Sequence, residues 1–165
     1  MKYEGIEFEF MKESDIDELT LIMKRAFDKD SWESLGIETG GPEGYDNGDF
    51  LRKYGLHEKS SAYKILKDNE IIGAIILWIN TDGINYLGNM FIDSSIQGKG
   101  YGSIAWRFIE ETYLSTCIWR TETPGFSKRN HYFYIKKCGF ELIDIINPNN
   151  KFEESYILEK KMKIV

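Results

Sequence analysis

The stretch QGKGYG, residues 97–102, lies between an apolar run, INYLGNMFI (84–92), and the segment SIAWRFIEETY (103–113). The apolar run is typical of a buried strand, and the second segment has the periodicity of an amphipathic helix. Glycine permits positive φ and close approach of a ligand, so successive N–H groups can point into one space. The helix N-terminus adds partial positive charge and unpaired donors. The stretch therefore predicts a phosphate-binding turn, with an ordinary glycine-rich connection as the alternative.

The whole chain limits the classes of protein to which this turn can belong. At 165 residues, the length predicts one domain over residues 1–165. A hydrophobic content of 42% with only 3 prolines excludes a disordered or low-complexity chain. The net charge of −6 argues against nucleic acid as a partner and favours basic ligands through the long-range field.

No targeting, membrane or metal signal is found in the sequence. The N-terminus, MKYEGIEFEFMKE, has charges throughout, and the longest apolar run, IIGAIILWI, is about half the length of a membrane helix. Cys117 and Cys138 are far apart and predict reduced thiols, and His57 and His131 lack patterned neighbours for a metal. These observations predict a cytoplasmic protein with no membrane partner and no metal.

The order of elements predicts a mixed α/β chain. IEFEF is a half-exposed strand, Ser14 then precedes a helix, and residues 28–48 read as a long loop. FLRKYGL predicts a short helix, and AYKILK and IIGAIILWI predict a hairpin around residues 68–70. After the strand at 84–92 and the helix from 103, the remaining segments predict a short strand (TCIWR), a helix ended by glycine (NHYFYIKKC) and two closing strands (FELIDII, SYILEKKM).

Two motifs give this chain a family resemblance. FIDSSIQGKGYG resembles the pyrophosphate-binding pattern Q/R-x-x-G-x-G/A of the GCN5-related N-acetyltransferases (GNAT), with Gln97, Gly100 and Gly102 at the patterned positions. NHYFYIKKCGF resembles the family's later element, in which an Asn opens a helix and Gly-Phe ends it. The resemblance covers nearly everything except residues 28–48. It implies a single-domain fold with a mostly antiparallel sheet of about seven strands flanked by about four helices.

Two other phosphate-binding motifs fit the turn less well. A Walker-type loop requires Ser or Thr after Gly-Lys, and Gly100 follows Lys99 here. A dinucleotide fingerprint would find Ser103 in place of its third glycine or alanine, and the preceding strands read as an antiparallel hairpin.

The resemblance implies acetyl-CoA as co-substrate and assigns residues to it. The glycine-rich turn would bind the pyrophosphate, and the end of the preceding strand would pair with the pantetheine arm and offer an N–H to the thioester oxygen. The predicted coenzyme-binding residues are Met90, Phe91, Ile92, Gln97, Gly98, Lys99, Gly100, Tyr101, Gly102, Ser103 and Asn130.

The resemblance also implies a catalytic residue, Tyr134, as the proton donor to the departing thiolate. Five steps separate Tyr134 from Gly139, whereas the commoner pattern has four, and Ile135 occupies the four-step position. Simple aromatic packing with Phe133 is the alternative for Tyr134.

The acceptor is predicted to be the primary amine of a small molecule. The family often uses a Glu on the strand at 84–92, but that strand has no acid, which predicts a low-pKa amine or a water-relayed base. Glu122 is a candidate at the acceptor, although a solvated loop acid is the simpler interpretation, and Trp32 and Tyr45 are candidates to line its pocket. A non-catalytic acyl-CoA-binding module, an enzyme acting on peptide amines (protein N-termini or lysines) and a homodimer remain open alternatives.

Overall fold

Eight strands form one sheet in the computed structural model, which describes residues 1–163. Their order is β1-β2-β3-β4-β5-β6-β8-β7, and every neighbouring pair is antiparallel except β5 and β6. The strands are β1 (Lys2–Tyr3), β2 (Ile6–Phe10), β3 (Ser60–Lys67), β4 (Glu70–Trp78), β5 (Ile84–Ile92), β6 (Ile118–Pro124), β7 (Glu141–Ile146) and β8 (Ser155–Lys161). The predicted mixed fold is confirmed, and the strand beyond the predicted seven is the two-residue edge strand β1.

The helical segments pack on both faces of the sheet. The α-helices are α1 (Ile16–Leu35), α2 (Tyr101–Thr112) and α3 (Lys128–His131). Two π-helical segments, Leu51–Gly55 and Tyr132–Lys137, and two 3-10 turns, Glu13–Asp15 and Ser94–Ile96, complete the set within the described residues. The segment at 51–55 agrees with the short helix predicted from FLRKYGL.

Helix α1 is longer than the sequence pattern predicted. The loop was expected to begin at Asp28, but the helix continues to Leu35 and ends at Gly36, whose φ is 69°. Charged pairs at i,i+4, Lys24 with Asp28 and Lys29 with Glu33, support the added turns. The predicted loop start was wrong because polar residues can belong to a helix face as well as to a turn.

The hairpin between β3 and β4 agrees with the prediction. Asp68 and Asn69 form its two-residue turn with φ of 51° and 65°. Positive φ at both central positions matches the right-handed twist of the strands, and Asp and Asn tolerate this conformation better than most residues.

Two hydrophobic clusters lie on opposite faces of the sheet. One packs α1 against side chains that include Ile76 and Phe91. The other packs α2 and the π-helical segment at 132–137 around Trp106 and Trp119, whose rings meet edge to face at 5.1 Å. Strand β5 contributes to both clusters, so its end is held between helices on the two faces.

Strands β5 and β6 are paired only at their beginnings. The parallel register runs from Ile84 opposite Ile118 to Leu87 opposite Thr121. A β-bulge follows at Gly88, where a Cβ would lie 2.8 Å from Nε1 of Trp78. Because a bulge bends its strand, β5 separates from β6, and no described strand pairs with residues 89–92 on that side. The sheet therefore has an opening between β5 and β6.

We expect Gly73→Ala to destabilise the fold strongly, because a Cβ there would lie 2.1 Å from the carbonyl oxygen of Phe91 on β5. Backbone cannot move aside as a side chain does, so the free energy of unfolding should fall by about 3 kcal/mol or more, measured by urea denaturation.

The matched control is Gly36→Ala, where a Cβ would meet nothing within 4 Å. The free energy of unfolding should fall there by only about 1–2 kcal/mol, because the φ of 69° is unfavourable for alanine. An equal or smaller loss for Gly73→Ala would contradict the close approach of β4 and β5.

Candidate active site

A cavity of about 420 Å³ lies at the opening between β5 and β6. Four parts of the chain form its walls: helix α1, the end of β5, the glycine-rich turn with the start of α2, and α3 with the π-helical segment that follows. The lining residues are Ala26, Phe27, Asp30, Met90, Phe91, Ile92, Ile96, Gln97, Gly98, Gly100, Tyr101, Gly102, Ser103, Arg129, Asn130, Tyr132, Phe133, Tyr134 and Lys137. Helices from both faces of the sheet therefore share one cavity.

The glycine-rich turn has the geometry of an anion cradle. Gly98 and Gly100 have φ of 80° and 85°, and a Cβ at either would meet nothing within 4 Å. The first bond of α2 runs from the N–H of Ile104 to the carbonyl of Gly100, so the N–H groups of residues 101–103 lack intrahelical partners. This open space beside unpaired donors, at the positive end of a helix, fits a phosphate group.

Gln97 holds the turn to the end of β5. Its Nε2 donates to the carbonyl oxygen of Ile92 at 3.0 Å, while its Oε1 is buried without a partner in the described residues. An unpaired buried amide oxygen is costly, and such atoms in native structures often await a ligand or water. The Gln97 side chain thus fixes the turn to β5, and its Oε1 can still accept a hydrogen bond.

An ion pair links α1 to the same turn. Arg25 Nη2 lies 2.8 Å from Oδ2 of Asp93, and Oδ1 of Asp93 accepts from the N–H of Ser95 at 3.2 Å. The hydrogen bond from Arg25 is the main reason that the pKa of Asp93 lies below its ordinary value, although partial burial opposes the shift. The segment that leads into the glycine-rich turn is therefore tied directly to α1.

Tyr134 lies on the cavity wall because the helix that carries it has a π-helical turn. Helix α3 continues into the segment Tyr132–Lys137, where the N–H of Cys138 donates to the carbonyl of Phe133, five residues earlier. This wider turn accommodates the extra residue before Gly139. The Tyr134 side chain is 7% exposed, and burial raises the pKa of its hydroxyl, which stays neutral and able to donate a proton or hydrogen bond.

Asn130 does not open the last helix as the pattern had suggested. Ser127 is the N-cap, and its Oγ accepts from the N–H of Asn130 at 3.4 Å. The Asn130 side chain instead donates from Nδ2 to Oγ1 of Thr123 on β6, at 3.2 Å. Serine is a preferred N-cap, so the helix begins before the predicted position. Asn130 still lines the cavity.

Four residues predicted at the site are not among those that line the cavity. Lys99 and Trp32 are exposed on the surface, and Glu122 is an exposed residue on β6 that accepts from Ser155 Oγ at 2.6 Å. Tyr45 is buried, and its hydroxyl donates to Oδ1 of Asp28 at 2.5 Å. Burial and this carboxylate raise the pKa of Tyr45 to about 12. This hydrogen bond therefore holds the loop that follows α1 against that helix.

The wall contributed by α1 was missed from the sequence. Phe27 has helical spacing with Leu19 and Met23, which does not mark it as a cavity residue, and Asp30 fell in the predicted loop. Their proximity to β5 depends on how α1 packs on the sheet, which no local pattern reports. Phe133 and Lys137 also line the cavity. The helical period from Tyr134 could have indicated Lys137, three residues later on the same face.

Neither a metal cluster nor a membrane-spanning helix is found in the described part of the chain. Within residues 1–163, no cluster of three or more His, Cys, Asp or Glu side chains is arranged to hold a metal ion. In the same range, no helix is long and apolar enough to span a membrane.

Solved structures share this fold. An acetyltransferase from Thermus thermophilus aligns with a TM-score of 0.76 and 13% identity, covering 98% of this chain and 100% of that chain. The PaiA N-acetyltransferase from Thermoplasma acidophilum, solved in complex with coenzyme A, aligns with a TM-score of 0.73 and 17% identity over 95% of this chain and 99% of that one.

Sequence comparison identifies the family. The uncharacterized protein YrkN of Bacillus subtilis (strain 168) is 33% identical over 143 residues, which cover 86% of this chain and 76% of YrkN. The profile of the acetyltransferase (GNAT) family matches residues 24–140, a range that includes both motifs and every part of the cavity wall. The chain therefore belongs to the acetyltransferase (GNAT) family of acetyl-CoA-dependent N-acetyltransferases.

Proposed function

We propose that this enzyme transfers the acetyl group of acetyl-CoA to the primary amine of a small molecule by direct attack of the amine on the thioester. The observation that carries the proposal is the single cavity between β5 and β6, onto which the glycine-rich turn, the free edge of β5 and Tyr134 all open. Two reactants can meet there without a covalent enzyme intermediate, since positioning alone supplies much of the rate.

The glycine-rich turn is the proposed binding site for the pyrophosphate. Gly98 and Gly100 leave room for the phosphate oxygens, and the N–H groups at the start of α2 donate to them. Arg129 and Lys137, the two basic residues of the cavity wall among the described residues, add positive charge. This local positive charge weakens, at the turn, the repulsion that the protein's net charge of −6 exerts on an anionic coenzyme.

The end of β5 and Tyr134 are the proposed reaction centre. Unpaired backbone N–H groups within residues 89–92 can donate to the thioester oxygen as negative charge develops on it. The amine nitrogen bonds to the carbonyl carbon, the carbon–sulfur bond breaks, and the sulfur receives a proton while the amine releases one. The neutral hydroxyl of Tyr134 is the proposed donor to sulfur.

Strand β5 offers no carboxylate to accept the amine's proton. Its polar side chains include Asn85, which is buried and donates to Oγ1 of Thr116 at 2.8 Å, and Asn89. The amine must therefore arrive largely neutral or lose its proton through water, which favours an acceptor whose pKa is near or below about 8.

Coenzyme binding gives the first test of this proposal. At about 100 times its dissociation constant, acetyl-CoA should stabilise the fold by roughly 2.7 kcal/mol and raise Tm by about 5–10 °C. Gly100→Val should abolish the shift, since a β-branched residue cannot hold φ of 85° and would fill the cradle.

Gly5→Val is the matched control, because Gly5 has φ of 81° and lies in the turn between β1 and β2. Both variants should lose stability, but Gly5→Val should keep the coenzyme shift. An equal shift with ATP, or a shift retained by Gly100→Val, would show that the turn does not bind the coenzyme specifically.

Transfer itself is tested by coenzyme A release with small primary amines, peptides with free N-termini and peptides with internal lysine. We expect release with small primary amines whose pKa is near or below about 8 at a kcat/KM at least about tenfold above that for either peptide, a difference in transition-state stabilisation of about 1.4 kcal/mol. Preferential turnover of peptides would favour a protein acetyltransferase. If neither small amines nor peptides release coenzyme A, the proposal is wrong.

We expect Tyr134→Phe to lower kcat by roughly 10²-fold with little change in acetyl-CoA affinity. The hydroxyl would act only as charge develops on sulfur, so its loss removes a transition-state interaction. A thiol is a stronger acid than a buried phenol, so full proton transfer from Tyr134 is not strongly driven and the variant should keep residual activity.

Tyr132→Phe is the control, because Tyr132 also lines the cavity but is 58% exposed. It should keep most of the wild-type kcat. If Tyr132→Phe carries the loss and Tyr134→Phe does not, the role assigned to Tyr134 is wrong.

A further inference from the structure

We propose that Asn89 on β5 contacts the acceptor directly: Oδ1 of its side-chain amide accepts a hydrogen bond from the attacking amine, and the site thereby selects amines that are uncharged when they bind. The inference rests on the function proposed above and adds the residue that positions the amine. Its starting point is that Oδ1 of Asn89 is buried and has no hydrogen-bond partner among residues 1–163.

Asn89 lies where β5 separates from β6. The parallel register with β6 ends at Leu87, and Asn89 follows the bulged residue Gly88. The next three residues of the strand, 90–92, line the cavity, and neighbouring residues of a strand are only about 3.3 Å apart along its axis. Asn89 therefore adjoins the stretch of backbone whose N–H groups are proposed to hold the thioester oxygen.

The Asn89 side chain lies on the α1 face of the sheet. In the register with β4, Asn89 is opposite Ile76, and opposite residues of an antiparallel pair share a face. Ile76 belongs to the cluster that packs against α1, whereas the glycine-rich turn leads into α2 on the other face. The pyrophosphate and Asn89 would thus approach the reaction centre from opposite faces, which leaves Asn89 to the second reactant.

A second asparagine on the same strand shows what a structural amide does. Oδ1 of Asn85 accepts from the N–H of Asn80 at 2.7 Å, and its Nδ2 donates to Oγ1 of Thr116 at 2.8 Å. Oδ1 of Asn89 has no such partner within the described residues. A buried, unpaired amide oxygen is unfavourable, and such atoms in native structures commonly serve a ligand or an ordered water. The contrast favours a ligand contact over a structural role for Asn89.

An amide oxygen at this position suits a neutral amine. A neutral amine can donate one N–H to Oδ1 and keep its lone pair for the thioester carbon, whereas the lone pair of an ammonium is already used by a proton. As the nitrogen gains positive charge during the attack, the same hydrogen bond strengthens. The uncharged amide neither takes up the proton nor stabilises an ammonium as a carboxylate would, so the contact favours the acceptor of low pKa proposed above.

The first test removes the accepting atom from residue 89. Asn89→Leu introduces a side chain of similar size without a hydrogen-bonding group. We expect it to lower kcat/KM for glycinamide, measured by coenzyme A release, by about tenfold to a hundredfold, as for a hydrogen bond to a group that becomes charged. Glycinamide is used because its α-amino group has a pKa of about 8. The Tm shift with acetyl-CoA should stay as in the wild type.

Tyr86→Phe is the matched control for this loss. Tyr86 lies on the same strand and is 40% exposed, so the variant removes a polar group from β5 without touching the proposed contact. It should keep the wild-type kcat/KM for glycinamide.

The second test changes the charge of residue 89 and keeps its shape. At pH 7 n-propylamine is almost entirely n-propylammonium, which should inhibit the acetylation of glycinamide only weakly in the wild type. Asn89→Asp should lower the inhibition constant of n-propylammonium by at least about tenfold, because a carboxylate binds an ammonium. The control is Thr81→Asp, which adds the same charge at an exposed turn residue before β5 and should leave that constant unchanged. A merely structural effect of Asn89→Asp would not tighten the binding of a cation.

The outcomes separate this inference from the proposed function. Wild-type kcat/KM in Asn89→Leu, or a loss that also abolishes the Tm shift with acetyl-CoA, overturns the acceptor contact while amine acetylation stands. Should Asn89→Leu fail to fold, Asn89→Asp decides: an unchanged inhibition constant, or one lowered equally in Thr81→Asp, overturns the contact. Coenzyme binding by the wild type without turnover of glycinamide or any other amine overturns the proposed function and this inference with it.

Discussion

Beyond Leu87 and Thr121, strands β5 and β6 no longer share backbone hydrogen bonds, and the organisation of the site depends on this separation. Strands that stayed paired would close the sheet and leave neither a free edge nor a passage between its faces. The bulge at Gly88 bends β5 while the antiparallel register with β4 keeps its other edge fixed. The opening is thus set by rigid, buried elements, which suits a site that depends on positioning.

An ion pair and backbone hydrogen bonds connect the two sides of the cavity. Arg25 on α1 pairs with Asp93, which also accepts from Ser95, and the N–H of Asp93 donates to the carbonyl of Ile72 at 2.7 Å. One residue therefore links α1, the sheet and the segment that enters the glycine-rich turn. The glycine-rich turn and the α1 side of the cavity share this support, so their relative position is fixed by the fold.

Tyr134 lines the cavity although one more residue separates it from Gly139 than in the commoner motif. On a regular α-helix, one added residue would rotate the side chain by about 100° away from the cavity. The π-helical turn takes up that residue, and contacts with Phe133 and Phe140 hold the ring at centroid distances of 5.3 Å and 5.8 Å. The direction in which a side chain points therefore depends on the type of helix as well as on the residue spacing within the motif.

The sequence alone determined seven of the strands, the glycine-rich turn, the order of the longer elements and the family, because these depend on periodicity, on glycine at special φ and on local motifs. The predicted site residues that line the cavity do so for the same reason: they lie in two local segments, around the end of β5 and in the last helix. Only the tertiary structure showed that α1 continues past Asp28, that Asp30 joins the wall and that Tyr45 is fastened to Asp28. Those features arise where segments distant in sequence pack together, and short-range patterns carry no record of that packing.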